Sequence, residues 1–256
     1  MTAYPLVTSY GGVGYQLVLD NVVLATALEF PPESICEVTV EPDNRIQGWK
    51  IRSSDGILGW LDAEESAEYP ALGRLRAQGM SAATTACITL DEVVLDIGLP
   101  EWHIPRNNQS EGTVLLAGGH PCPIDTSTSA DIDSDFLDSL SAASYFVCLK
   151  QAGSDIVVLL DSRVVGTLGP IEAFPVVAQV LSQTPVSALL LAADGQVVLD
   201  LPADPDHVFA PLAPSLLAPS DAGTAPATPA EQQDEFDLTF DPCAFTLPPH
   251  RVGESG

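Results

Sequence analysis

The chain of 256 residues is 46% apolar and carries nine Lys and Arg against 35 Asp and Glu, a formal net charge of −26 at pH 7. The apolar share is sufficient for a buried core, so the chain is not disordered throughout. The negative field repels phosphate backbones and anionic lipids, and it therefore disfavours nucleic-acid binding and attachment to a membrane surface. Salt-adapted hosts also favour acidic proteins, so host adaptation is a second explanation for the charge.

Location and redox state follow from two further features. No stretch reaches the roughly 18 consecutive apolar residues of a membrane-spanning helix, and the start of the chain lacks the basic residues of a signal peptide. These features predict a cytoplasmic protein. The five cysteines never form a CxxC pair, which predicts reduced thiols and no metal site. We expect three of them to serve as small core residues: Cys36, Cys87 and Cys148.

The first predicted elements lie in YQLVLDNVVLATALEF, residues 15–30. Two apolar runs flank Asp20 and Asn21, a pair of residues that favours a turn. The pattern predicts a β-hairpin, and we assign residues 1–32 to an N-terminal β-hairpin region.

The next segment, residues 33–100, has the clearest pattern of strands. In IRSSDGILGWL the pair Asp55–Gly56 separates two apolar runs, which predicts a hairpin because glycine accepts the positive φ of a tight turn. The segment closes with LDEVVLDIGLP, which predicts a second strand pair that ends at a proline.

A helical stretch lies between these two strand pairs. Asp62 and Glu65 form a capping-box pattern that starts a helix, and Gly79 is suited to end one. Pro70 lies inside the stretch, so we expect either a break between two helical turns or a helix that restarts there.

The same order of elements returns in residues 144–203. SYFVCLKQAGSDIVVLLDSRVVGTL, GPIEAFPVVAQVLSQT and PVSALLLAADGQVVLDLP repeat the strand pair, the helix and the closing strand pair. Gly59 and Gly166 fall at matching positions, and both closing pairs contain the letters VVLD. We therefore predict an α+β protein with a tandem repeat of small hairpin, helix and hairpin modules, whose sheets are barrel-like.

Two segments remain. Residues 101–143 combine one apolar strand, TVLLAG, with polar residues and a possible short helix, and we interpret them as a linker. Residues 204–256 are rich in Pro, Ala, Ser and Asp, which predicts a flexible acidic tail. Within it, EFDLTF alternates apolar and polar side chains, as in a linear peptide that docks on a partner or on a sheet edge through Phe236, Leu238 and Phe240.

The first module, read from Glu41 as EPDNRIQGWKIRSSDGILGWLDAEESAEYPALGRLRAQG, resembles the HIRAN domain family. The resemblance covers roughly residues 36–95, and it extends more faintly to a degenerate second copy at about 145–202, which lacks the EPDN turn. It implies a small β-barrel-like module with short helices. In that family the domain recognises single-stranded 3′ DNA ends.

Recognition of a DNA end requires cations for phosphates and aromatic faces for bases. The first module supplies both types of side chain, which we take as a candidate anion- or nucleic-acid-binding set: Arg45, Trp49, Lys50, Arg52, Trp60, Arg74 and Arg76. The alternative is that these cations pair with the acids of the same region and that the tryptophans belong to the core.

No spacing of residues in the chain indicates a nucleophile, a cofactor loop or a metal site. We therefore expect no enzyme activity and no cofactor, and we predict a non-catalytic protein whose partner is another protein. The alternatives are an accessory protein that binds single-stranded DNA ends through its first module, and an enzyme without a recognisable motif.

Overall fold

The computed structural model describes residues 3–10, 13–116, 120–129, 136–137, 140, 142–202 and 213–216. This part of the chain consists mostly of β-strands with four short α-helices. No helix within it is long and apolar enough to cross a membrane.

The first half of the chain forms an eight-stranded sheet and a small ribbon. Its strands are β1 (Ala3–Pro5), β2 (Ser9–Tyr10), β3 (Val13–Gly14), β4 (Gln16–Val18), β5 (Asn21–Val22), β6 (Ser34–Asp43), β7 (Gly48–Arg52), β8 (Ile57–Leu61), β9 (Ser81–Ile88) and β10 (Val93–Asp96). The order in the sheet is β4-β10-β9-β6-β7-β8-β5, with β1 parallel to β9, while β2 pairs with β3.

One extended segment closes this sheet on itself. β4 pairs with β10 at one end of the sheet, and β5 pairs with β8 at the other end. Only Leu19 and Asp20 separate β4 from β5, so consecutive residues join both ends of the sheet. The predicted hairpin across Asp20 and Asn21 is therefore wrong, because the two apolar runs pair with different strands and close a barrel-like sheet.

The second half forms a seven-stranded sheet. Its strands are β11 (Val114–Leu116), β12 (His120–Pro123), β13 (Ala143–Ala152), β14 (Asp155–Leu160), β15 (Arg163–Pro170), β16 (Val186–Ala193) and β17 (Gln196–Leu201). The order is β12-β17-β16-β13-β14-β15, with β11 parallel to β16.

The two sheets have the same connectivity. Each consists of a three-stranded meander and a hairpin, joined through a helical segment. One upstream strand is parallel to the first strand of the hairpin, and another lies along the hairpin's far edge. The segment after β12 also reaches the opposite edge, where Asp125 forms a bridge with Thr167. An α+β fold with curled, barrel-like sheets is thus confirmed. The assignment of residues 101–143 as a linker is corrected, because β11 and β12 belong to the second sheet.

The four helices are α1 (Leu24–Ala27), α2 (Ala63–Ala67), α3 (Leu72–Ala77) and α4 (Pro175–Leu181). The capping box of Asp62 and Glu65 is present at the start of α2. Pro70 lies between α2 and α3, as expected for a break, and Pro175 is the first residue of α4. The apolar face of α3 packs Leu72 and Leu75 into the core of the first barrel, and that of α4 packs Val177 and Val180 into the core of the second.

The chain also returns to the first barrel after the second one. Leu216 is buried in the first core, and its N–H donates to Oδ1 of Asn108 over 2.9 Å. This contact corrects the expectation of a tail that is free from residue 204 onward. Phe236, Leu238 and Phe240 lie outside the described residues.

Candidate functional site

The cations predicted to bind an anion are held by acids of the same hairpin. Nζ of Lys50 lies 2.7 Å from Oε2 of Glu41, and Nε of Arg52 lies 3.3 Å from Oε1 of the same carboxylate. Burial alone would raise the pKa of Glu41, but the hydrogen bonds and charges of Lys50 and Arg52 outweigh it and hold the pKa below its usual value. Arg45 forms a similar ion pair with Asp43. The hydrogen bonds that Arg45 donates lower the pKa of the Asp43 carboxyl.

The two arginines of α3 are half-buried and bind to neighbouring parts of the fold. Arg74 donates to three consecutive backbone carbonyls, the closest being that of Pro105 at 2.7 Å. The guanidinium of Arg76 lies 4.9 Å from the ring centre of Trp49 and donates to the carbonyl of Gly48. Trp49 is buried, so its ring face is not available for stacking on a base. These three side chains of the predicted set stabilise the fold.

The only member of the set that combines partial exposure with an aromatic face is Trp60. It lies directly opposite Lys50 in the pairing of β7 with β8. The structure therefore brings Lys50, Arg52 and Trp60 together on the outer side of one hairpin. It buries Trp49 and engages the half-buried Arg74 and Arg76 in contacts within the fold.

A second feature of the first barrel was not predicted from the sequence. Four residues lie opposite one another across four neighbouring strands: Ile35 opposite Cys87, Cys87 opposite Val94, and Val94 opposite Val18. Residues directly opposite one another project from the same face of a sheet. Ile35 is 75% exposed and Val18 is 44% exposed, so this face is the outer one. We call these four residues the apolar row.

Further exposed leucines lie at the end of the barrel next to the apolar row. Leu28 of the α1 region and Leu90 of the turn between β9 and β10 are 80% and 79% exposed. Together with Leu24 they line a small cavity of about 70 Å³ under α1. Scattered exposed apolar residues are normal, but exposed apolar residues that lie side by side indicate a contact surface.

The two central positions of the equivalent row in the second barrel are covered. Matching the VVLD segments of β10 and β17 aligns Val94 with Val198 and Cys87 with Leu191. Leu191 and Val198 are only 2% and 3% exposed, because the indole of Trp102 packs on them. The same outer face is therefore a packing surface in one barrel and an open surface in the other.

The strand edges beside the two rows differ in the same way. β14 pairs with β13 only from Cys148 onward, and β7 pairs with β6 only from Thr39 onward, so the first half of each long strand has one edge without a strand partner. In the second barrel, N–H of Arg106 donates to Ser144, and the side chain of Asn107 exchanges two hydrogen bonds with the backbone of Phe146. Within the described ranges, no strand pairs with the corresponding edge at residues 35–37 of β6.

Cys87 was expected in the core, and the structure corrects this. It lies on the outer face, where it is half-buried between Ile35 and Val94. The alternation of SICEVTVEPD places Ile35 among polar residues on the solvent side of β6, which was the available signal for an exposed apolar residue. Among the described residues, no three His, Cys, Asp or Glu side chains form a group that could hold a metal ion.

Comparison with known proteins gives no assignment: no protein family model, curated protein or solved structure matches the chain. The resemblance of the first module to HIRAN domains therefore stays a prediction.

Proposed function

We propose that this chain is a non-catalytic protein-binding protein made of two duplicated, HIRAN-like barrels, and that the apolar row of the first barrel is its binding surface. The observation that carries the proposal is the contrast between the two rows: in the second barrel Trp102 covers Leu191 and Val198, and Ser144 is fully buried at the position of Ile35, which is 75% exposed in the first barrel. Because the second barrel already uses this face to pack an apolar side chain, the same face of the first barrel is well suited to bind a partner.

The two glycines at matching positions support the duplication. Gly59 of β8 lies under the carbonyl of Asn21, and Gly166 of β15 lies under the carbonyl of Asp125. In each barrel the closing segment thus passes over a glycine, and the two glycines lie on equivalent strands, β8 and β15. After a duplication one copy is free to change, and the second barrel has used its outer face for contacts within the chain.

The proposal also includes the compartment and the tail. Within the described part of the chain, the cysteines Cys36, Cys87, Cys122 and Cys148 are free thiols, which supports a cytoplasmic protein. The segment EFDLTF supplies a second candidate contact, a linear motif whose Phe236, Leu238 and Phe240 would bind a partner.

Affinity capture from the native host tests the proposal. The full chain is compared with Ile35→Ser and with Ile46→Ser, a matched change at an exposed isoleucine in the turn after β6. We expect at least one protein that the wild type and Ile46→Ser retain equally and that Ile35→Ser loses. If every captured protein is retained equally by all three chains, the apolar row is not the binding surface.

A second candidate function, binding of a single-stranded DNA end, rests on one observation: Lys50 lies opposite the half-exposed Trp60, beside Arg52. Salt-sensitive retention of an oligonucleotide with a free 3′ end would favour it. Lys50→Glu with Arg52→Glu should then abolish retention. Unchanged retention in this double variant would eliminate the face of Trp60 as a nucleic-acid surface, since Lys50 and Arg52 are the cations that lie beside this side chain.

A further inference from the structure

The surroundings of the apolar row define the chemistry of its partner. Strand neighbours two residues away project from the same face. Glu37 of β6 lies two residues from Ile35 and therefore projects from the same face, and the exposed acids Glu33 and Glu92 lie in the loops directly before β6 and β10. No Lys or Arg occurs in residues 1–44 or 77–105, the segments that form the row and its flanks. The row is therefore an apolar band with acids on both sides, and the cation nearest to the open edge of β6, Arg52, is paired with Glu41.

We propose, resting on the function proposed above, that the apolar row receives an extended cationic segment of another protein, with a large apolar anchor and flanking Lys or Arg side chains. The row crosses three gaps between strands, which is roughly 14 Å, or about four to five residues of extended chain. The anchor packs on Cys87 and Val94, and the cations pair with Glu33, Glu37 and Glu92.

The chain's own covering segment shows how such a partner is held. Trp102 packs on the row of the second barrel, and four residues later Arg106 begins the contact with the edge of β13. A partner on the first barrel would make the same two contacts, with its anchor on the row and its backbone along residues 35–37 of β6.

Charge excludes the two occupants that the chain itself offers. The segment EFDLTF contains Glu235 and Asp237 within an acidic region, so it would bring like charges to the flanks of the row. A second copy would bring another net charge of −26. Like charges that face one another across an interface are unfavourable, so a cationic segment is the occupant that fits.

Three synthetic peptides of about ten residues test the inference on the full chain. Each alternates one polar residue with Leu around a single Trp, and the polar residue is Lys, Gln or Glu. Binding of the labelled peptides is measured by fluorescence anisotropy at several salt concentrations. We expect the Lys peptide to bind at least about tenfold more tightly than the Gln peptide, with a salt dependence that the Gln peptide lacks.

Variants of the chain show where the peptide binds, and they distinguish binding to the apolar row from attraction by the net charge of the whole chain. Ile35→Ser should weaken the Lys peptide by about tenfold, while Ile46→Ser leaves it unchanged. Glu37→Gln with Glu92→Gln should also weaken it, whereas Glu64→Gln with Glu68→Gln removes the same charge from the exposed face near α2 and should not. Equal effects of the two charge pairs would mean that net charge attracts the peptide, and this would overturn the inference.

The remaining outcomes distinguish the inference from the proposed function. If the Gln peptide binds as tightly as the Lys peptide and Ile35→Ser weakens both, the row binds segments without selecting charge, and only the inference fails. If Ile35→Ser affects no peptide, the proposed function fails as well. Tighter peptide binding after Phe236→Ala, Leu238→Ala and Phe240→Ala would identify the tail as the occupant. A dimer in sedimentation that Ile35→Ser dissociates would identify a second copy.

Discussion

Gly59 and Gly166 show how one residue allows each barrel to close. A Cβ atom at Gly59 would lie 2.3 Å from the carbonyl oxygen of Asn21, and one at Gly166 would lie 2.5 Å from that of Asp125. Both distances are far below a van der Waals contact, and the obstacle is backbone in both cases. A side chain of any size at either position would push the closing segment away from the strand.

We expect Gly59→Ala and Gly166→Ala each to lower the free energy of unfolding by about 1–3 kcal/mol, as overpacking typically does. Urea denaturation measures the change. Gly73→Ala is the control, because a Cβ there meets no atom within 4 Å and the site lies within α3. Alanine favours a helix over glycine, so the control should be neutral or stabilising by up to about 1 kcal/mol. A loss in Gly73→Ala as large as in Gly59→Ala would contradict this account.

His103 is a buried residue whose protonation opposes folding. Its Nδ1 lies 3.2 Å from the carbonyl of Leu99, its ring packs edge-on against Tyr69, and within the described structure Nε2 has no hydrogen-bond partner. Burial, together with the charge of Arg74, lowers the pKa of His103 to about 4, although hydrogen bonds to the backbone at Leu99 and Pro100 oppose the shift. The folded protein therefore holds the neutral imidazole.

The pH dependence of stability follows from this shift. In the unfolded chain His103 takes up its proton near pH 6.5, whereas the folded chain does so only near pH 4. The unfolded state binds more protons in that window, so stability falls as the pH is lowered through it, by at most about 1.4 kcal/mol per pH unit. We expect the difference in unfolding free energy between the wild type and His103→Gln to vary with pH between 6.5 and 4. A difference that stays constant over this pH range would contradict the account.

At the scale of the elements, local sequence signals were reliable where one segment contains the whole interaction. The capping box of Asp62 and the tight turn at Asp194–Gly195 are both formed, and Gly195 has φ 71°. The turn at Asp55–Gly56 differs, because Arg52 lies opposite Ile57 and four residues form the loop. A register shift at the end of β7 accounts for the longer loop.

Signals that depend on distant segments were not readable from the sequence. The alternation around β4 and β5 predicts extended chain but does not specify which strands pair with it. A hairpin was inferred because it pairs the two segments that are adjacent in sequence. The apolar row requires β4, β6, β9 and β10 to lie side by side, and these come from separate parts of the chain. The basic set failed as a group for the same reason: Arg74 binds carbonyls of residues 104–106 and Arg76 contacts Trp49, and both partners come from segments distant in sequence.

The hairpin of β14 and β15 gives a prediction about turn chemistry. Asp161 and Ser162 both have positive φ, 48° and 71°, which is a turn type that favours glycine at its second position. The equivalent position in the next hairpin is Gly195. We expect Ser162→Gly to raise the free energy of unfolding by up to about 1 kcal/mol and Gly195→Ser to lower it by a similar amount. Thermal or urea unfolding measures both, and effects of the same sign would contradict the argument.

At the scale of the molecule, the two barrels are joined by more than a chain connection. Trp102 packs on Leu191 and Val198 of the second barrel, and Oγ of Ser144 donates to the carbonyl of Trp102 over 2.7 Å. From the same segment, the carbonyls of residues 104–106 accept hydrogen bonds from Arg74 of the first barrel. One short segment is thus held by both barrels, which should make them unfold together.

Trp102→Ala tests this coupling. The change removes the indole from Leu191 and Val198, and truncation of a buried tryptophan typically costs about 3–5 kcal/mol. The loss falls on the contact between the barrels and leaves both cores intact, since those cores consist of other residues. We therefore expect one unfolding transition in the wild type and two in Trp102→Ala, as measured by calorimetry. Trp60→Ala, in the first barrel alone, should lower stability and keep a single transition. A single transition in Trp102→Ala that is only shifted to lower temperature would mean that the remaining contacts, such as those of Leu216 and Asn107, are enough to couple the barrels.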